Sequence, residues 1–162
     1  MEERRLIITG DIKDGAITTS KIADASITDT KIANSTNFIE IAIPLVSEAQ
    51  SVTSGTLTTL NGQHIWTPGN WNADRISAIY VELEWESAGS GDIDLYDATN
   101  ATKLTDLKTP SGATSKTIER IDVTTAVKGL TADTILAIQA AGDGSNSVTV
   151  YTAKLIVVIT LG

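Results

Sequence analysis

Ile79-Tyr80-Val81-Glu82-Leu83-Glu84-Trp85-Glu86 alternates apolar and polar residues without a break. Successive side chains of an extended strand point to opposite faces, so Ile79, Val81, Leu83 and Trp85 share one face. Tyr80, Glu82, Glu84 and Glu86 share the other. A helix would scatter both sets around its axis. Arg75 to Glu86 therefore predicts a strand with one face in a core and one acidic face in water. A carboxylate pair on that face could serve acid–base hydrolysis, but solvation alone accounts for the glutamates.

The same period of two recurs on both sides of this stretch. Upstream, from Asn37 on, Ile39, Ile41, Ile43 and Leu45 face one way and Glu40, Ala42 and Pro44 the other. Pro44 lacks a ladder donor, which predicts an edge position or a strand end. Ser47 to Asn61 is polar and Thr-rich, with Gly55 and Asn61-Gly62 as turn signals, and Gln63 to Thr67 reads as a short strand. Thr67-Pro68-Gly69-Asn70 is a turn bracketed by Trp66 and Trp71. Downstream, Ser87-Ala88-Gly89-Ser90-Gly91 reads as a hairpin loop leading into a strand at Asp92 to Asp97.

Further strands fit Lys103 to Lys108, Ser115 to Val123 and Thr134 to Ala141, with turns at Pro110-Ser111-Gly112 and Asp143-Gly144. Thr124 to Leu130 fits one helical turn or a loop. In the last segment, Ser147 to Leu161, Val158 lies on the face of Thr152, Lys154 and Thr160, so that end is expected to be covered on both sides. About eight strands punctuated by turns, with no convincing helix, predict an all-β fold. The specific expectation is an antiparallel β-sandwich, jelly-roll-like, with an extended N-terminal repeat arm.

That arm has a different period. Ile12, Ile17, Ile22, Ile27 and Ile32 recur at every fifth position. A helix would turn each isoleucine by about 140° from the last, and one continuous strand would place them on alternate faces. Short extended pieces broken at Asp14-Gly15, Asp24, Asp29 and Asn34 fit better. Two ten-residue repeats are too few for a free-standing solenoid. The isoleucines must then be covered by the chain's own sandwich or, as we expect, by copies of themselves, most simply in a trimer. A plain linker does not demand this register. The expected organisation is an assembly arm at residues 1–36 and a β-sandwich at 37–162.

Ala16-Ile17-Thr18-Thr19-Ser20-Lys21-Ile22-Ala23-Asp24 aligns with Ser26-Ile27-Thr28-Asp29-Thr30-Lys31-Ile32-Ala33-Asn34. This pattern resembles the decads of tail-fibre and other virion structural proteins of phages and archaeal viruses. The resemblance covers about the first fifth of the chain. It implies a homo-oligomeric fibre, spike, turret or decoration subunit, located on a virion or extracellular surface, whose N-terminal repeats join chains below a β-rich head. Asp94-Leu95-Tyr96-Asp97-Ala98-Thr99-Asn100 and Val150-Tyr151-Thr152-Ala153-Lys154-Leu155 look similar to β-sandwich domains of viral and extracellular structural proteins, which bears on architecture only.

Composition narrows the classes further. The net charge of −8 argues against nucleic-acid binding, which needs a basic surface. No cysteine is present, which removes thiol and zinc-thiolate chemistry. Leu6-Ile7-Ile8 is too short for a signal-peptide core, and Leu155 to Ile159 is far too short to span a membrane. The one histidine, His64, has no neighbouring nucleophile motif, and no phosphate loop or transition-metal spacing is present. The reading is a non-enzymatic protein with no cofactor and no catalytic residues.

Three residue sets remain as candidate sites. The five isoleucines Ile12, Ile17, Ile22, Ile27 and Ile32 are the candidate oligomer interface. Trp66, Trp71 and Tyr96 are a possible stacking platform for a surface glycan, although scarce aromatics serve more often as a core plug. Asp92, Asp94 and Asp97 are minor calcium candidates beside the reading of ordinary turn and surface aspartates. Two rival functions stand next to the virion protein. One is an extracellular filament or tube subunit that polymerises by strand donation, with Leu6-Ile7-Ile8 or Phe38 to Leu45 as donor. The other is a carbohydrate-binding module.

Overall fold

The computed structural model describes residues 38–161; the isoleucine repeat and Leu6-Ile7-Ile8 lie outside them. The described strands are β1 (Phe38–Val46), β2 (Gln50–Val52), β3 (Thr58–Trp66), β4 (Ile76–Ser87), β5 (Asp92–Asp97), β6 (Thr102–Lys108), β7 (Thr114–Asp122), β8 (Thr134–Ala141) and β9 (Val148–Thr160). A short helix, α1 (Thr124–Lys128), joins β7 to β8.

The strands pair as a nested antiparallel ribbon. β5 pairs with β6, β4 with β7, β3 with β8 and β1 with β9. Rolling that ribbon brings β9 against β4 and β8 against β5. Two sheets result, in the orders β1-β9-β4-β7 and β3-β8-β5-β6, with the short β2 also on β9. This interleaving of two sheets is the jelly-roll form of the antiparallel sandwich.

The period of two dictates what lies between the sheets. Ile79, Val81 and Leu83 on β4 are fully buried, as are Val150, Leu155 and Val157 on β9. They pack with Ile93 and Leu95 of β5 and Leu136 and Ile138 of β8 in one hydrophobic cluster. Each such side chain contributes about 1.5–3 kcal/mol by leaving water. Aromatics are few, yet Trp66 and Trp85 are both in this core.

Several local expectations give way to tertiary structure. Ser87 to Gly91 is not a hairpin loop: β4 and β5 lie in different sheets, so this segment crosses between them. An isolated bridge between Ser90 and Ser111 and the hydrogen bond from Ala88 N to Ser147 O hold the crossing. The strand expected at Gln63 begins earlier, at Thr58. Asn61-Gly62 is therefore inside β3, where the pairing with β8 shifts between Thr59 and Gln63. Gly62 has φ +108°, and a Cβ there would collide with the carbonyl oxygen of Leu45. It marks a bulge and a close backbone approach rather than a turn between strands. Pro44 does lie on an edge strand, beside a register shift between Pro44 and Val46.

Gly62→Ala should cost about 2–4 kcal/mol through left-handed strain and overpacking together, read as a lower denaturation midpoint. Ala101, with φ 53° in the turn from β5 to β6, gives the converse case. Ala101→Gly should stabilise by about 0.5–1 kcal/mol, measured in the same way.

Candidate functional site

The outer face of the β1-β9-β4-β7 sheet is built from residues opposite in parity to the core. The acidic row of β4 is met there by cations from both neighbours. Lys154 of β9 lies 3.6 Å from Glu82, and Lys116 of β7 lies 2.8 Å from Glu84. The Lys116 ammonium also sits 3.9 Å from the centroid of the Tyr151 ring. Such exposed pairs contribute about 0–1 kcal/mol each.

Arg120 reaches furthest across this face. Its guanidinium lies 4.8 Å from the Tyr80 ring centroid and bonds Glu40 of β1 at 2.8 Å. Glu40 holds the arginine proton more tightly than usual. Ile156 and Val158, on the outward face of β9, are only 5% and 8% exposed. Beside them an open groove of about 560 Å³ is lined by Phe38, Glu40, Ser77, Ala78, Tyr80, Arg120 and Val158. At the start of β1, Phe38, Ile39 and Ile41 are 46%, 48% and 37% exposed. Ile39 and Ile41 are in register with Ile159 and Val157, and thus on the core side of the sheet, yet this end of the strand is left uncovered among the described residues.

The three aromatic candidates do not converge. Trp66 is 2% exposed, and Trp71 stacks on it with centroids 5.0 Å apart and planes 8° from parallel. Trp66 belongs to the core cluster and Trp71 packs against it, so the pair closes one end of the sandwich. The cavity they share with Pro68, Ala73, Ile76, Lys128 and Leu130 measures only about 30 Å³, room for a water molecule rather than a sugar ring. Tyr96 stands on β5, in register with Ala137 of β8 and Lys103 of β6.

The three aspartates also part company. Asp97 Oδ1 accepts from the backbone N–H groups of Thr99 and Asn100, and Oδ2 accepts from Asn100 Nδ2. Burial pushes its pKa up, but those bonds outweigh burial and hold it below the ordinary value. Asp143 repeats the device with Ser145 and Asn146, whose bonds bring its pKa down to about 2. Asp-x-Thr-Asn and Asp-x-Ser-Asn are therefore turn locks.

Asp94 is different. It is 1% exposed, and neither carboxylate oxygen has a hydrogen-bond partner. Its cross-strand partner is Asp106, and Lys103 Nζ lies 3.8 Å away while also pairing with Asp106. Burial raises the Asp94 pKa to about 6, opposed by Lys103 and assisted by Asp106 and Asp92. Among the described residues no group of three or more His, Cys, Asp or Glu is placed to hold a metal ion. No described helix is long and apolar enough to cross a membrane.

Solved structures of VP2 of infectious bursal disease virus are similar to this chain. The VP2 subviral particle aligns over 79% of this chain and 34% of VP2, at 13% identity and a TM-score of 0.46. A D431N mutant VP2 in derived T=1 particles aligns over 79% and 33%, at 14% identity and a TM-score of 0.48. The chain thus spans about a third of the length of these VP2 proteins. No protein-family model matches the chain, and no curated protein matches its sequence.

The buried carboxylate of Asp94 gives a pH test with a definite sign. The folded state keeps its proton up to about pH 6, whereas the group's ordinary pKa is 3.8. Its contribution to stability is therefore fully present below pH 3.8 and is lost as the pH rises through 6. Asp94→Asn should raise stability at pH 7 by at most about 3 kcal/mol. The gain should shrink towards zero near pH 4, as measured by thermal melts of both proteins across that range.

Proposed function

We propose that this chain is a non-enzymatic structural subunit of a virion or a comparable surface assembly. It self-assembles through its N-terminal repeats and presents the jelly-roll sandwich outward. The observation that carries this reading is the register of Ile12, Ile17, Ile22, Ile27 and Ile32 ahead of the sandwich. A row of isoleucines on so short a segment cannot build a core of its own. The sandwich has its own hydrophobic core, running from Leu45 to Val157 in the sequence. Copies of the same repeat, wound about a common axis, supply the missing apolar surface, and three is the simplest number. The net charge of −8 keeps such particles soluble and non-adhesive.

Strand donation is the weaker reading for the β1 candidate, because Phe38 to Val46 is already paired with β9 of its own sandwich. The carbohydrate-binding reading loses its platform, because Trp66 and Trp71 stack on each other and Tyr96 stands apart from them in the sheet register.

The double variant Ile22→Asp/Ile27→Asp tests the reading. Light scattering should give a closed oligomer for the natural chain and a single-chain mass for the variant, with the far-ultraviolet β signal unchanged. A variant that keeps the oligomeric mass refutes assembly through the repeats.

A further inference from the structure

The four edge strands of the sandwich are not equally protected. An exposed edge offers unpaired backbone groups to any other chain, and natural sheets blunt it with inward-pointing charge, proline or bulges. On the β6–β7 side, Lys108 of β6 bonds both oxygens of Glu119 of β7 at 2.8 and 3.0 Å, tying the two sheets together. Lys108 also lies 5.4 Å from the Trp85 ring centroid. The β3 edge carries Asn61, Gln63 and His64 beside a single exposed apolar residue, Ile65. On β1 the proline and register shift come only at Pro44 to Val46. Its first half, Phe38 to Ala42, holds three exposed large apolar residues and a single charge, Glu40, which is already bonded to Arg120.

The chain continues from this unprotected half into the isoleucine repeat, which ends at Ile32, six residues before Phe38. We propose that the first half of β1 is an interface with a second copy of the same chain, in which Ile39 and Ile41 on the core side of the strand, and Phe38 on its outer face, pack against their equivalents along the strand edge. This rests on the reading of the repeat as the assembly element, and it extends that element into the sandwich. If repeats of neighbouring copies wind together, the strands that follow them within a few residues are brought side by side. The apolar surface exposed in one chain is then covered by its equivalent. Three exposed apolar side chains at a strand start, joined covalently to a self-associating segment, need no partner of different chemistry.

The absence of natural cysteine allows a direct test. Ile41→Cys places one thiol on the proposed interface. Ile118→Cys places one at the opposite edge, on β7, where Ile118 is 66% exposed. Both full-length variants are treated with a short bis-thiol cross-linker under conditions where light scattering shows the oligomer. The Ile41→Cys chain should form covalent dimers at least about tenfold faster than the Ile118→Cys chain, because the oligomer raises the effective thiol concentration only at the interface. Equal rates in an oligomeric sample overturn the β1 interface and leave assembly through the repeats standing. A natural chain that is monomeric throughout overturns both. Phe38→Ser, a substitution outside the core, gives a second check. It should lower the concentration stability of the oligomer, and no change in that stability counts against the interface.

Discussion

The structure depends on burying two apolar strand faces against each other. β4 and β9 are adjacent in one sheet, and their inward residues from Ile79 to Trp85 and from Val150 to Val157 line one wall of the core. β5 and β8 form the other wall. Other features answer to this constraint. The crossing at Ser87 to Gly91 exists because β4 and β5 must face one another across the core rather than pair. The Lys108–Glu119 bridge and the Trp66–Trp71 stack close the margins that the two walls leave open.

Much of this was legible in the sequence. The alternation from Ile79 to Glu86 gave β4 and its inward face, and the pattern from Ser147 to Leu161 gave β9, including Val158 covered on the polar side. Pro44 marked an edge. What local pattern cannot show is pairing between distant segments, and here the nested ribbon joins β1 to β9 and β3 to β8 across most of the chain. A glycine-rich stretch reads alike whether it turns a hairpin or crosses between sheets, so Ser87 to Gly91 has the local pattern of a hairpin loop although it crosses. Gly62 has the local pattern of a turn for a related reason, since its need arises from the carbonyl of Leu45 rather than from its sequence neighbours.

The site residues divide along the same line. Asp97 and Asp143 are explained by partners two and three residues away, so their turn-locking role follows from the Asp-x-Thr-Asn and Asp-x-Ser-Asn spacings. Asp94 sits on the same strand as Asp97, but its burial beside Asp106 and Lys103 is set by the pairing of β5 with β6. The Glu40–Arg120 contact joins the two edge strands of one sheet and had no local signal at all. The exposure of Phe38, Ile39 and Ile41 was equally hidden, because a strand that alternates like a core strand need not be covered along its whole length.

In this account the sandwich has a core of its own, and assembly is written into the repeat and the strand start that follows it. Sedimentation of the natural full-length chain over a wide concentration range tests that claim most directly. The account predicts one discrete species of several chains whose mass does not change on dilution. A species with the mass of a single chain at every concentration would contradict it.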